Sequence, residues 1–354
     1  MNWGLGHASR VIFLIQKFLE HPRFEVMMAA DGIAYDLLQS TFPGVPLVRL
    51  PSITIRYSRY FGSGFSMMLS LPKIFWNICR EHQYLKKIII DYNIDLVLSD
   101  NRYGLYHKDI HTIFLTHQLR IPFPGIFRWL EPLGQKINYW FINKYDFCWI
   151  PDTPETDSIG GRLSHPAKIP SQVKYIGPLS RFLIKWEGSK INSGYDIVAV
   201  LSGPEPQRTI LEQMLMKQLL KRQESVLMLR GLPGDDHEIH KHHNIHLVSH
   251  MDAPLLKHHL LNSKYIICRS GYSSIMDLVA LEKTAILIPT PGQPEQEYLA
   301  SYLDSKKCFY YLPQSRLNLD LAFEKVKSLH PIKMEIREDW LDRAISQVIN
   351  KNTS

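Results

Sequence analysis

Three segments of this 354-residue chain put small residues where a helix is expected to begin. The first amides of a helix have no partner within it and lie at the positive end of its dipole, so such a segment can hold an anion. The first is Gly4-Leu5-Gly6-His7-Ala8-Ser9-Arg10, followed by Val11, Ile12, Ile15, Phe18 and Leu19 at the spacing of one buried helical face. An imidazole at His7 would face a crevice and could take a proton from a hydroxyl; the plain alternative is a capping histidine without chemical duty. The second segment is Ser202-Gly203-Pro204-Glu205-Pro206-Gln207-Arg208. Gly203 would let backbone approach a ligand, the prolines stiffen the loop, and Arg208 either reaches a diphosphate or lies solvated. The third is Arg269-Ser270-Gly271-Tyr272-Ser273-Ser274, with Asp277 one turn into the next helix. There a carboxylate could accept bonds from ribose hydroxyls, or serve only the helix dipole. The loop Thr290–Pro294 then leads to Glu295, Gln296 and Glu297, side chains suited to hexose hydroxyls or to a solvated helix start. Asp100 and His117, each at a predicted strand end, are reserve bases.

These loops need strands to deliver them. Short β-branched runs alternate with longer helical patterns, which is the signature of parallel α/β domains. In the first half strands are expected at Phe24–Ala29, Leu47–Leu50, Ile94–Leu98, Thr112–Leu115, Phe147–Ile150 and Val173–Ile176. After a linker over 179–194 the alternation restarts at Ile197–Leu201, Ser225–Leu229, Ile245–Val248, Tyr265–Cys268 and Ala285–Ile288. The expected organisation is a first Rossmann-like domain over 1–178, a second over 195–335, and a tail over 336–354. Its tail helix carries Trp340, Leu341, Ala344, Ile345 and Ile349 on one face. The expected fold class is α/β, two doubly wound domains facing each other across a cleft, with ligands beyond the carboxyl ends of the strands.

Composition narrows the partners. The 45% hydrophobic and 21% charged fractions are those of a folded globular protein. Cys79, Cys148, Cys268 and Cys308 are widely spaced, without a CxxC pair, which suits a reducing compartment and argues against a disulfide framework. A net charge of +7 favours anionic partners, but the basic residues are scattered without a groove-like run, so nucleic acid is not expected. The chain opens almost directly on the first glycine loop, so no secretory signal is expected. The apolar stretch near Phe61–Ile78 is broken by Pro72 and Lys73 and is too short to cross a bilayer. Eight histidines crowd residues 237–259, yet HEIHKHH (His237–His243) lacks a strong metal-ligand spacing and reads as a surface loop; no metal site is assigned. Two aromatic segments flanked by basic residues, Tyr57–Trp76 and Ile121–Trp140, would suit either core packing or a surface receiving a lipid-linked acceptor.

The run from Cys268-Arg269-Ser270-Gly271 through Asp277 to Ile288-Pro289 and Gln296 resembles the donor-binding signature of glycosyltransferase family 28. That family includes the peptidoglycan lipid-intermediate N-acetylglucosaminyltransferase and the galactolipid synthases. Gly4 through Arg10 resembles the same group's acceptor-side loop. The resemblance implies a glycosyltransferase B fold, with a UDP-sugar in the second domain and the acceptor against the first. It further implies a hexosyltransferase that inverts the anomeric centre and needs neither an obligatory metal nor another cofactor beyond the UDP-sugar co-substrate. Carried over, Ser270, Gly271, Ser273 and Ser274 would surround the diphosphate, beside Tyr272, with Ser202, Gly203 and Arg208 completing the donor side. Asp277 would stand for a ribose-binding glutamate, Gln296 and Glu297 for a sugar-contacting pair, and His7 for the catalytic or acceptor-binding histidine. Aspartate at 277 has a shorter reach than glutamate, and Glu297 replaces a common glutamine, so the sugar preference is expected to differ. The usual glycine is absent from Leu281-Glu282-Lys283-Thr284.

Only Met1-Asn2-Trp3 precede Gly4, so the strand that should lead into that loop is missing; a late start or a shortened chain is expected. The other readings of the same loops are a UDP-sugar hydrolase or epimerase and a non-catalytic UDP-sugar-binding subunit. The expected location is cytoplasmic, at the inner face of a membrane if the aromatic segments contact lipid as a peripheral surface.

Overall fold

The computed structural model of the chain describes residues 5–51, 63–123, 125–155, 158–184, 194–232, 239–334 and 338–352. The first half runs α1 (Leu5–Glu20), β1 (Met28–Ala30), α2 (Gly32–Thr41), β2 (Leu47–Arg49), α3 (Ser63–Tyr92), β3 (Leu96–Asp100), β4 (His111–Leu115), α4 (Glu131–Ile142), β5 (Phe147–Ile150) and β6 (Val173–Tyr175). The second runs β7 (Ile197–Val200), α5 (Gln207–Leu219), β8 (Val226–Leu229), β9 (His240–His242), β10 (Ile245–Val248), α6 (Ala253–Asn262), β11 (Tyr265–Cys268), α7 (Tyr272–Ala280), β12 (Ile286–Leu287), α8 (Pro294–Ser305), β13 (Tyr310–Tyr311) and α9 (Leu319–Val326). Helix α10 (Glu338–Asn352) closes the chain.

The second sheet has the order β13-β12-β11-β7-β8-β10-β9, all parallel except β9. Helices cover both faces, so the central strands are apolar at every position instead of alternating. Val198, Leu227, Leu229, Ile266 and Cys268 pack to one side, whereas Ile197, Ala199, Val226, Met228 and Ile267 pack to the other. A one-residue slip would exchange those two sets.

The strands of the first half form two separate sheets, β1-β2 and β3-β4-β5-β6, not the single sheet expected of a doubly wound domain. A shared apolar cluster joins them: Leu50, Leu85, Ile88 and Leu105 are packed by Met27 and Val48 from one side and by Ile94 and Val97 from the other. The β1 strand is shorter than its sequence suggests because Phe24 and Val26 lie outside the ladder and cover the core. Phe24 stands edge-on to Phe18, with ring centroids 4.8 Å apart. The histidine-rich segment also departs from the expected loop: His240–His242 form an exposed edge strand antiparallel to β10. His237 lies outside the described residues.

Two features bind the halves together. Ile159, Leu163 and Phe182, from the first half, belong to a core cluster of the second sheet. In return α10 carries the chain back to the first, where Leu341, Ala344, Ile345 and Val348 pack against Leu14, Phe18, Ile113 and Trp149. Helix α3 contains Pro72, and no helix among the described residues is long and apolar enough to cross a membrane. The part of the Tyr57–Trp76 segment before residue 63 lies outside the described residues.

Candidate active site

The loops predicted from distant parts of the sequence meet at the carboxyl ends of the strands. Gly6, His7 and Arg10 lie in the first turns of α1. A Cβ placed on Gly6 would stand 3.5 Å from Ser273 Oγ, so the start of α1 faces the start of α7 directly. Gly4 lies outside the described residues.

A chain of charged and polar side chains spans this junction. His7 Nδ1 is 3.0 Å from Asp100 Oδ2 at the end of β3. Arg10, 2% exposed, donates to both Asp100 oxygens, Nε to Oδ2 at 3.2 Å and an NH2 contact to Oδ1. Its NH1 is 2.9 Å from His117 Nδ1, and its NH2 is 2.9 Å from His7 Nδ1. His117 follows β4; its Nε2 is 2.8 Å from Glu295 Oε1, and Gln118 Nε2 donates to the other Glu295 oxygen at 2.5 Å. His117 also stacks on Tyr272, with centroids 4.2 Å apart and planes 19° from parallel. Glu295 and Tyr272 belong to the second half, so this network crosses between the two sheets.

The charges around this network perturb several of its members. Burial, then the Arg10 charge, lowers the His7 pKa from its ordinary value of 6.5, while Asp100 partly opposes them. His7 is therefore neutral at pH 7. Arg10 can donate only to an unprotonated Nδ1, whereas Asp100 can accept only from a protonated one, so the two compete for that nitrogen; the tautomer with Nδ1–H toward Asp100 is the one that carries the lone pair on Nε2. Burial opposes ionisation of Asp100, yet Arg10 and then His7 outweigh it and hold the carboxyl well below the usual range. Glu295 is likewise kept ionised against its burial, chiefly by His117. His117 engages both ring nitrogens, one toward Arg10 and one toward Glu295, and so bridges the two halves.

The second-half loops close around the same place. Gly203 has φ +103°, and a Cβ there would lie 3.5 Å from Thr290 Oγ1; Ser202 precedes it near the start of the loop after β7. Arg208 is buried, its guanidinium held by Glu205 (Nε to Oε1, 2.7 Å), Glu212 (NH1 to Oε2, 2.7 Å) and the Arg230 carbonyl. A diphosphate would have to compete with two carboxylates for it. Gly271 caps α7 without a side-chain hydrogen bond, ahead of Tyr272, Ser273 and Ser274. Ser270 Oγ donates to the Gln296 carbonyl at 2.8 Å, Gln296 Oε1 accepts from Thr290 N at 2.8 Å, and Glu297 Oε1 accepts from Gly292 N at 2.9 Å. Asp277 is tied to the segment entering the second half: Ser180 Oγ donates to it at 2.6 Å and Arg181 Nε lies 3.4 Å away. Burial raises its pKa against the pull of Arg181.

Three participants carried no assigned role in the sequence reading. Arg10 sits one turn after His7 on the same helical face, a spacing that could have marked the pair. Gln118 follows His117 in a strand-end loop. Asp152, fully buried just after β5, accepts from the amides of Thr153, Ile159 and Gly160 and from Ser164 Oγ, and so shapes loop 151–164. That loop docks on the second half: Tyr272 Oη donates to the Pro151 carbonyl, Tyr302 Oη donates to that of Ser158, and Arg162 N donates to Tyr298 Oη.

Comparison with known proteins agrees with this architecture. No curated protein matches the chain in sequence. Among solved structures, the glycotransferase of kitacinnamycin superposes with a TM-score of 0.62 at 12% identity, over 98% of this chain and 96% of that one. MurG from Acinetobacter baumannii does so with a TM-score of 0.54 at 11% identity, over 98% and 96%. A UDP-N-acetylglucosamine 2-epimerase gives 0.51 at 10% identity, over 98% and 92%. At such identities these likenesses establish the fold. Residues 197–339 match the family described as glycosyltransferase family 28 C-terminal domain. The chain is thus an α/β protein of the glycosyltransferase B fold, and it resembles glycosyltransferase family 28 over residues 197–339.

Proposed function

We propose that the protein is a hexosyltransferase that moves a sugar from a UDP-sugar to an acceptor hydroxyl with inversion at the anomeric carbon. The observation that carries this reading is the contact of the two glycine loops, with Gly6 facing Ser273 and the His7–Asp100 pair beside them. In this mechanism the amides of residues 271–274 and the α7 dipole hold the diphosphate. The acceptor oxygen attacks the anomeric carbon, and its proton passes to His7 Nε2. The bond from the anomeric carbon to the diphosphate breaks with its electron pair leaving on UDP. Asp100 stabilises the imidazolium that results. Ser202, Gly203, Tyr272 and Ser274 line the donor side in this reading, Gln296 and Glu297 shape the sugar loop, and Asp277 acts through the segment at Ser180.

A lipid-linked acceptor fits the surface of the first domain. Trp129, Leu133, Ile137 and Trp140 are exposed at helical spacing on and just before α4, and Phe75 and Trp76 are exposed on α3. Lys73, Arg80, Arg128 and Lys136 are exposed among them, and the one acidic residue of α4, Glu131, is buried against Arg120. Aromatic and basic side chains in that mixture suit peripheral contact with an anionic membrane face, which is the cytoplasmic leaflet in the proposed location.

Release of UDP from a panel of UDP-sugars, with and without soluble and lipid acceptors, tests the reading. Acceptor-dependent UDP release, lost in His7→Ala while UDP still binds, is the expected result. The fold shared with an epimerase supports a second reading, UDP-sugar epimerisation or hydrolysis. An isomerised UDP-sugar, or sugar released to water without acceptor, would favour it. UDP binding with no turnover on any acceptor would instead point to a non-catalytic subunit.

A further inference from the structure

Arg269 immediately precedes the Ser270–Ser274 loop and is fully buried. Buried arginines are ordinarily matched by carboxylates, as Arg10 is by Asp100 and Arg208 by Glu205 and Glu212. The partners found for Arg269 are all neutral oxygens. NH1 donates to the Ile288 and Pro289 carbonyls, each at 3.1 Å, and to Gln314 Oε1 at 2.7 Å; NH2 donates to the Gln207 carbonyl at 2.8 Å. Its Nε has no hydrogen-bond partner among the described residues, and neither has the buried hydroxyl of Thr290, which faces Gly203. Burial alone lowers the guanidinium pKa, to about 10, so at neutral pH it keeps its charge. A buried cation without a carboxylate partner among the described residues thus sits next to the Ser270–Ser274 loop, the start of α5 and the residues after β12.

We propose that Arg269 is a positioning residue for the anionic part of the donor: a buried positive charge that draws a diphosphate to the Ser270–Ser274 loop through its field. Its four hydrogen bonds hold the start of α5, the end of β12 and the Gln314 segment in fixed register around that loop. The desolvation cost of the buried charge is offset when an anion binds nearby, because charges interact strongly where water is excluded. This inference rests on the donor reading above and adds a source of affinity that the loop's amides alone do not supply.

Gln314→Glu separates charge from architecture. It keeps the oxygen that accepts from Arg269 NH1 and adds a compensating negative charge beside it. Calorimetric titration with UDP, UMP and uridine is expected to show the UDP-to-uridine affinity ratio falling about tenfold in this variant, with uridine affinity itself little changed. Arg269→Lys, which retains the charge, should keep the ratio within about threefold even if its melting temperature drops. Arg269→Met should lose it as Gln314→Glu does; should Arg269→Met fail to fold, Gln314→Glu carries the test. An unchanged ratio in Gln314→Glu would leave Arg269 as a structural tie only and overturn the proposal, while the donor reading stands. Wild-type protein that binds none of the three compounds would overturn the donor reading and this inference together.

Discussion

Replacing Asp100 with asparagine removes one charge and almost no volume, so its consequences follow from the contacts of that carboxylate. Asp100 is the counter-charge of Arg10, which is almost wholly buried, and the acceptor for His7 Nδ1. In Asp100→Asn the guanidinium loses its anionic partner. Breaking a buried pair from one side costs about 3 kcal/mol or somewhat more, and the proximity of Glu295 through His117 keeps the value toward that lower end. The new amide can donate to Nδ1, which moves the imidazole proton to Nε2 and removes the lone pair facing the acceptor. A rate loss of roughly 10²–10⁴ in kcat is expected for a misdirected general base. The pH dependence has a definite sign. His7 must be neutral to act, so activity falls as pH drops through its pKa, which lies below 6.5 because burial and Arg10 disfavour the charged ring. Asp100 is the group that opposes those effects, so without it the residual activity should persist to lower pH. The assay is UDP release between pH 5 and pH 9, with urea unfolding of both proteins to separate chemistry from stability. Wild-type turnover with an unmoved acid limb in Asp100→Asn would refute the assignment of His7 and Asp100 as the base and its support.

Two further variants probe the interface and the surface. Gly161 has φ +52°, and a Cβ there would lie 2.4 Å from Tyr298 Oη and 2.8 Å from Tyr302 Cζ; Gly161→Ala should therefore lose about 2–3 kcal/mol by urea unfolding, from backbone strain plus overpacking where the domains meet. An alanine variant as stable as the wild type would mean that loop 151–164 yields freely. Trp129→Ser combined with Trp140→Ser should reduce co-sedimentation with vesicles of anionic lipid by roughly tenfold while UDP binding is unchanged. Equal sedimentation of the two proteins would detach those aromatics from membrane contact.

The sequence was most informative where a strand is buried on both faces. Tyr265–Cys268 and Phe147–Ile150 are continuous apolar runs bounded by turns, and their strands occupy those same residues. The two edge strands of the second sheet, His240–His242 and Tyr310–Tyr311, were not legible, because they are short and bury little, so pairing with a neighbour and not patterning creates them. The glycine loops could be read one by one from small residues before helical spacing. What joins them could not: the Arg10 bond to His117 spans 107 positions and that from His117 to Glu295 spans 178, and no local pattern encodes either. Arg269 was legible as a loop residue, but its lack of an anionic partner depends on Ile288, Gln207 and Gln314 folding over it.

A crystal structure of the complex with a 2-fluoro UDP-sugar, which binds but resists transfer, examines the proposed chemistry directly. The diphosphate oxygens are expected to accept from the backbone amides of residues 271–274, with the anomeric carbon turned toward His7. A nucleotide seated away from that helix start, or a sugar whose anomeric carbon points away from the His7–Asp100 pair, would contradict it.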